Sequence, residues 1–193
     1  MIWKDSMKEQ INSLGKILTN KSIEGDVRET VNLISSCKGI CYFTGVGKNM
    51  YVASRVASTY DSLGIRSIFI DPVHTLHGSM GIFSEEDLVI AISKSGNTSE
   101  LIRFVLTLRK QGFTNIMGIT ANKNSKLCNL SKLCLAIEIA REGDQFNLAP
   151  IASTMIFGSL LDSIAVEISS SRGYTKTDFI RNHPGGELGK TEV

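Results

Sequence analysis

The stretch Ser93-Lys94-Ser95-Gly96-Asn97-Thr98-Ser99-Glu100 follows the apolar run from Leu88 to Ile92 and precedes an amphipathic run that begins at Leu101. This order predicts a buried strand, a hydroxyl-rich turn and then a helix. The first N–H groups of a helix lack internal partners and lie at the positive end of its dipole, so they bind phosphate readily. The stretch therefore predicts a phosphate site.

The side chains of this turn support that prediction. Gly96 permits a tight bend because it has no Cβ atom. Three hydroxyls can donate to a bound phosphate: Ser93, Ser95 and Thr98. An alternative interpretation needs no ligand, because Asn97 would cap the helix and Glu100, three residues later, would complete a capping box.

Short apolar runs alternate with longer helical segments from Lys38 onward. Strands are predicted at 39–44, 66–71, 87–93, 115–120 and 133–139. Helices are predicted at 48–63, 98–111 and 150–172, with a short helical turn near 125–131. The alternation predicts an α/β fold, a three-layer sandwich around a five-stranded parallel sheet. In such sheets ligands bind at the carboxyl ends of the strands.

Two amphipathic helices are predicted before the first strand, at 3–20 and 22–37. Apolar residues recur at helical spacing in both: Met7, Ile11, Leu14 and Leu18 in the first, and Ile23, Val27, Val31 and Ile34 in the second. These faces either pack within the chain or contact a second copy. The 193 residues are predicted to form a single domain, with leading helices (1–37), a core (38–173) and a C-terminal segment (174–193).

The composition narrows the class of protein. A formal net charge of +2 without long basic runs argues against binding to nucleic acid or a membrane surface. No apolar leader follows Met1, so a cytoplasmic location is expected. The apolar segment from Leu148 to Ile168 contains Asp162 and Glu167, which predicts a buried helix and not a membrane span. The four cysteines lack zinc-site spacing and are expected to be reduced thiols: Cys37, Cys41, Cys128 and Cys134.

A glycine turn, Gly45-Val46-Gly47-Lys48, follows the first predicted strand. It lets the backbone approach a ligand closely, and Lys48 adds a cation. It is not a Walker A loop, because Tyr42 stands where the first glycine would fall, and Tyr51 and Val52 exclude a dinucleotide fingerprint. An ordinary strand-to-helix turn is the alternative.

Acid–base groups follow other strands. Glu142 comes just after the fifth predicted strand, and Ser153 and Thr154 lie in the first turn of the next helix. These residues either line the crevice or serve only as a solvated carboxylate and helix caps. His77 lies in the loop after the second strand, and His183 opens a His-Pro-Gly-Gly segment near the end of the chain. Histidine exchanges protons near neutral pH, so His183 is predicted to be functional.

Together these motifs resemble the sugar isomerase (SIS) domain and, within it, the arabinose-5-phosphate isomerases of the Kdo pathway. The resemblance runs from about Lys38 to Lys190. It is carried by the glycine and hydroxyl turns, His77-Gly78-Ser79-Met80-Gly81, Glu142 before Leu148-Ala149-Pro150, and the segment from His183 to Gly189. The resemblance implies a flavodoxin-like fold.

The resemblance also implies a reaction, the reversible interconversion of D-ribulose 5-phosphate and D-arabinose 5-phosphate through a cis-enediol, without a cofactor. The implied catalytic set is Lys48, Glu100, Glu142 and His183. The implied substrate-binding set is Gly45, Gly47, His77, Ser93, Ser95, Thr98, Ser153 and Thr154. We expect Glu142 to move the carbon proton, His183 or Glu100 to move the oxygen proton, and Lys48 to stabilise the enediolate.

Some expectations concern the assembly and the departures from the family. The resemblance implies a homotetramer in which a neighbouring copy completes each site, and an inhibitory metal at His77 and His183 is a further hypothesis. Asn49-Met50-Tyr51 replaces the family's usual Ser-Gly-His. The family's CBS modules are not expected after Val193.

The alternative functions are isomerisation of a hexulose 6-phosphate and non-catalytic sensing of a sugar phosphate.

Overall fold

The computed structural model describes residues 1–185, which fold around a five-stranded sheet with helices on both faces. The strands are β1 (Cys41–Gly45), β2 (Ser67–Ile70), β3 (Leu88–Ile92), β4 (Ile116–Thr120) and β5 (Leu133–Ala136). They lie in the order β2-β1-β3-β4-β5, and each neighbouring pair is parallel. The predicted three-layer α/β sandwich is therefore confirmed.

The helices match the predicted segments and add two short ones. They are α1 (Ile2–Thr19), α2 (Ser22–Ser35), α3 (Lys48–Ser62), α4 (Pro72–Thr75), α5 (Ser99–Lys110), α6 (Lys126–Leu130), α7 (Ala152–Ser171) and α8 (Lys176–Asn182). Local capping explains the two that were not predicted. Asp71 caps α4 ahead of a proline, and Thr175 and Asp178 form a capping box at the start of α8.

The core forms two apolar layers, one on each face of the sheet. Phe43 packs with Tyr60 and Phe157 on the face covered by α3 and α7, whereas Tyr42 packs with Phe104 on the face covered by α5. Successive residues of β1 serve opposite layers because side chains alternate along a strand. β1 and β3 are buried along their whole length, as expected for a parallel sheet covered on both faces.

Within residues 1–185, α7 is the one helix long and apolar enough to cross a membrane by length and composition. However, 56% of its apolar window is buried inside the fold. It also packs against α3, and the Tyr60 hydroxyl of α3 donates to the carbonyl of Leu161 at 3.0 Å. The predicted buried helix is confirmed.

The first leading helix leaves much of its apolar face uncovered. Leu14 and Ile17 pack against the core, but the side chains of Met7, Ile11 and Leu18 are 52%, 63% and 88% exposed. By contrast, Ile23 and Ile34 of α2 are buried. The exposed α1 residues therefore form an apolar face that has no partner within the described part of this chain.

The structure corrects one expectation about the cysteines. Cys128 and Cys134 form a disulfide, whereas Cys37 and Cys41 are free. The prediction of four reduced thiols is therefore wrong for one pair. The short helix α6 turns the chain back into β5 and brings the two Cα atoms to 5.1 Å, within the range that a disulfide spans.

Candidate active site at the switch point of the sheet

Strand order reverses between β1 and β3, which pair directly although β2 lies between them in sequence. Gly45 at the end of β1 pairs in register with Ile92 at the end of β3. The glycine turn and the hydroxyl turn therefore begin side by side, at the point where ligands bind in open parallel sheets. The sequence predicted both turns at the carboxyl ends of strands, and the sheet order makes them neighbours.

The hydroxyl turn is held by its own side chains. The hydroxyls of Ser93 and Thr98 are 2.9 Å apart, and the backbone N–H of Gly96 donates to Ser93 Oγ at 3.1 Å. Ser93 is buried, whereas Ser95 is exposed and its Oγ accepts from Asn97 N at 3.1 Å. No side chain caps α5 at Thr98, which leaves the first N–H groups of this helix for an anion.

The capping-box interpretation of this turn is wrong. Thr98 stands at the N-cap, while Asn97 Oδ1 accepts from the backbone N–H of Lys126 at 3.0 Å and so ties the turn to α6. Glu100 is exposed and accepts from the Ser99 hydroxyl at 2.7 Å. Its own backbone N–H and this hydroxyl hold the pKa of Glu100 below its usual range, so the carboxylate at the start of α5 is ionised.

Glu142 is fully buried at the same edge of the sheet. Its Oε2 accepts from the backbone N–H groups of Ile151 and Ser153 at 2.9 and 3.0 Å, at the start of α7. Its Oε1 meets the ammonium of Lys94, in the hydroxyl turn, at 2.5 Å. The interpretation of Glu142 as a solvated carboxylate is therefore wrong, because the loop turns it inward onto a helix N-terminus and a cation.

Two opposing effects act on this carboxyl group. Burial raises the pKa of Glu142, because a low-dielectric environment disfavours the charged form. Hydrogen bonds from the Lys94 ammonium and from Ser153 lower the pKa, and these contacts leave it below its usual value. Glu142 is therefore an ionised carboxylate at neutral pH, which is the form that can accept a proton.

The glycine turn opens α3 and presents Lys48. Gly47, the N-cap of α3, has φ +62°, and a Cβ at Gly45 would lie 2.9 Å from the carbonyl oxygen of Asn49. Lys48 is exposed, and together with Thr154 it lines one end of a 570 Å³ cleft between α3 and α7. The predicted glycine turn is present with Lys48 exposed at its end, and its contact with a ligand stays a prediction.

Four buried side-chain oxygens around the turns make no hydrogen bond in the described part of the chain: Thr44 Oγ1, Asn49 Oδ1, Ser153 Oγ and Glu142 Oε1, the last of which lies in the ion pair with Lys94. Buried polar atoms are rarely left unpaired, so this group is suited to the hydroxyls of a sugar. By contrast, the Thr154 hydroxyl donates to the carbonyls of Pro150 and Ile151. The capping interpretation is wrong for both residues, because neither side chain caps the start of α7.

The two predicted histidines lie in different places. His77 is exposed after α4, beyond the carboxyl end of β2, and so lies at the same edge as the turns. His183 ends α8, where its ring stacks on Phe179. α8 is tied to the opposite end of the fold, because Asn182 donates to the Tyr174 hydroxyl, which donates to the carbonyl of Ser62.

Helix length shows how far His183 lies from the other predicted residues. Ser62 ends α3 and Lys48 begins it, and a helix of 15 residues is about 22 Å long. One copy of the chain therefore does not bring His183 to Lys48 and Glu142. Residues 1–185 hold no cluster of three or more potential metal ligands, and an inhibitory metal at His77 and His183 stays a prediction. Gly186 and the residues after it lie outside the described residues.

Lys94, Thr44 and Asn49 were not among the predicted site residues. Lys94 stands inside the hydroxyl turn, but its partner Glu142 is remote in sequence and nothing local indicates the contact. Thr44 and Asn49 flank the glycine turn, and their proximity to it was the available signal.

Gly96→Ala should destabilise the protein by about 2 to 4 kcal/mol, from the cost of a positive φ together with overpacking. Gly96 has φ +64°, and an added Cβ would lie 2.2 Å from Ser125 Oγ and 2.8 Å from Thr120 Oγ1. Gly112→Ala is the matched control, since Gly112 has φ +86° but nothing within 4 Å. Urea unfolding measures both variants. Equal losses would show that the close packing of the turn against α6 contributes nothing.

Comparison with known proteins agrees with this geometry. A family model described as SIS domain matches residues 33–167. The chain is 35% identical over 97% of its length to arabinose 5-phosphate isomerase KpsF of Escherichia coli O6:H1, and 33% identical over 87% of its length to arabinose 5-phosphate isomerase KdsD of Pseudomonas aeruginosa. It covers 57% and 51% of these relatives and so spans about half of their length.

A solved structure is similar over nearly the whole chain. The protein is from Escherichia coli and was solved in complex with arabinose 5-phosphate. The TM-score is 0.89 at 28% identity, and the match covers 94% of this chain and 95% of that one. A second one, of a sugar-phosphate isomerase candidate from Listeria monocytogenes, has a TM-score of 0.87 at 27% identity and covers 95% of each chain.

Proposed function

The chain belongs to the SIS domain family, and we propose that it is an aldose–ketose isomerase that interconverts D-arabinose 5-phosphate and D-ribulose 5-phosphate. The observation that carries this proposal is Glu142, a buried and ionised carboxylate beside a hydroxyl-rich helix N-terminus at the switch point of the sheet. The names of the relatives and the arabinose 5-phosphate complex of the similar E. coli structure support the choice of substrate.

The phosphate of the substrate binds at the hydroxyl turn. The uncapped N–H groups at the start of α5 and the hydroxyls of Ser95 and Thr98 donate to its oxygens. The sugar then extends toward the buried polar atoms of Thr44, Asn49 and Ser153, which supply hydrogen-bond partners for its hydroxyls. The backbone of Gly45 and Gly47 leaves room for the sugar at the start of α3.

The reaction moves one carbon proton and one oxygen proton. Glu142 takes the proton from C1 of the ketose, which gives a cis-enediol, and returns it to C2 to form the aldose. The hydroxyl proton passes from O1 to O2 by way of His183 or Glu100. Lys48 stabilises the negative charge that develops on the enediolate oxygen. The sequence of transfers is internally balanced, so no redox cofactor takes part.

We further propose a homotetramer in which a neighbouring copy supplies His183 to the site of Lys48 and Glu142. The length of α3 between Lys48 and the α8 anchor supports this assignment. The apolar face of α1 supports an interface between copies, because removing apolar surface from water is favourable. Its exposed residues are Met7, Ile11 and Leu18.

We place the reaction in the cytoplasm, where its product would supply Kdo for a surface glycoconjugate. The substrate supports this location, because a phosphorylated sugar carries charge and does not cross a lipid bilayer unaided. Arabinose 5-phosphate is the Kdo precursor, so the isomerase names of the relatives support the pathway.

The test is turnover of D-arabinose 5-phosphate to D-ribulose 5-phosphate by the purified chain, with ribose 5-phosphate, glucose 6-phosphate, fructose 6-phosphate and a hexulose 6-phosphate in parallel. We expect turnover of the arabinose and ribulose phosphates only. Turnover of the hexulose phosphate would overturn the substrate assignment, and binding without any turnover would leave a sensor of sugar phosphates.

A further inference from the structure

Lys94 and Glu142 form an ion pair that joins the hydroxyl turn to the acid–base site. The ammonium of Lys94 lies 2.5 Å from Glu142 Oε1, and the side chains are 39% and 0% exposed. The pair therefore reaches from the surface at the lysine to the interior at the carboxylate. A carboxylate that is wholly removed from water is costly unless a cation or several donors compensate for the lost hydration.

Both ends of this pair are anchored. The carbonyl of Lys94 accepts from Thr120 Oγ1 at 3.0 Å and from Ala121 N at 2.9 Å, which fixes the lysine backbone against the end of β4. Glu142 N donates to Asn147 Oδ1 at 2.7 Å, and the α7 N–H groups hold Oε2. Oε1 depends on Lys94 alone, since no other ion pair to Glu142 occurs in residues 1–185.

Other charged groups near Glu142 lie on its own loop and on two helices. Asp144 is occupied by the backbone N–H groups of Phe146, Leu148 and Ala149. Glu9 of α1 lies beside Gly143, with its Cβ 3.7 Å from the position of an added Cβ there. Arg141 and Lys48 are exposed. Lys94 is the charged group that acts directly on the Glu142 carboxylate.

We propose that Lys94 is a positioning residue that keeps the buried Glu142 carboxylate ionised and oriented for proton transfer. The inference rests on the isomerase function proposed above. Lys94 acts through Glu142 and leaves the C1 to C2 proton transfer to that residue. Its place in the phosphate-binding turn also means that the cation and the bound phosphate share one rigid segment of backbone.

The sign of the pH effect follows from the burial of Glu142. Loss of the lysine charge removes one of the contacts that oppose burial and leaves those with Ser153, so the pKa of Glu142 rises. A larger fraction of the carboxyl is then protonated at low pH and cannot act as a base. The acidic limb of the kcat/KM profile should therefore move to higher pH in a variant without the charge.

The experiment compares Lys94→Met, which removes the charge but keeps most of the length, with Lys94→Arg, which keeps the charge. Lys123→Met is the matched control, because Lys123 is exposed on the neighbouring β4 to α6 turn. We expect Lys94→Met to lose about tenfold in kcat/KM near pH 6, with the loss shrinking as the pH rises. Lys94→Arg should keep the acidic limb at the wild-type pH, and Lys123→Met should keep the whole wild-type profile.

A second measurement separates this inference from the proposed function. The carboxyl ¹³C resonance of Glu142, assigned with Glu142→Gln, reports its titration whether or not the protein turns over a sugar. We expect the titration to move to higher pH in Lys94→Met and to stay in place in Lys123→Met. An unchanged titration, or a loss in kcat/KM that is equal at every pH and comes from KM alone, would overturn the proposal.

Discussion

Glu142→Gln is expected to lower kcat by about a thousandfold, because loss of a general base costs 10² to 10⁴ in rate. The amide keeps the size of the side chain, and its oxygen can still accept from Ile151 N and Ser153 N. It cannot take a proton from C1 of the sugar. The measurement is turnover together with ¹H NMR in D₂O, since the wild type should incorporate deuterium at C2 of arabinose 5-phosphate and the variant should not.

Glu138→Gln is the control for this substitution, because Glu138 is exposed on the same β5 to α7 connection. Thermal unfolding and binding of the sugar phosphate separate catalysis from structure, since Glu142 also holds the start of α7. Retention of deuterium exchange in Glu142→Gln would assign the carbon proton to another group. In that case Glu100, the exposed and ionised carboxylate of α5, becomes the base.

Much of the fold could be predicted because its signals are local. The runs that became β1 and β3 are mostly apolar, and both strands are buried along their whole length. The fifth strand is shorter than predicted, since it ends at Ala136, although the backbone N–H of Ile137 still donates to Thr120 at 2.8 Å. α4 and α8 are too short for a periodic signal, and only their caps identify them.

The site could be predicted only as far as local chemistry reaches. The hydroxyl turn was identified from its own residues, but the partner of Asn97 was not, because Lys126 of α6 meets it across the fold. Glu142 was recognised as a candidate, whereas its burial depends on contacts with Lys94 and the start of α7. Sequence spacing carries no information about such long-range contacts until the sheet order is known.

His183→Ala is expected to lose about a hundredfold or more in kcat, within the range for an acid–base group. Arg181→Ala is the control on the same helix, because the exposed Arg181 forms a surface ion pair with Asp178 at 2.9 Å, and such pairs contribute little. In one copy, Ser62 anchors α8 at the end of α3 opposite Lys48. The loss in His183→Ala must then arise in the site of another copy.

Mixing the two inactive variants tests that conclusion directly. A chain with Glu142→Gln still supplies His183, and a chain with His183→Ala still supplies Glu142. If each site takes these residues from different copies, subunit exchange in an equal mixture should restore about a quarter of the wild-type activity, by random pairing in a symmetric assembly. If both residues came from one chain, no mixed assembly would hold an intact site. Mixed assemblies that form but stay inactive would therefore contradict the shared site.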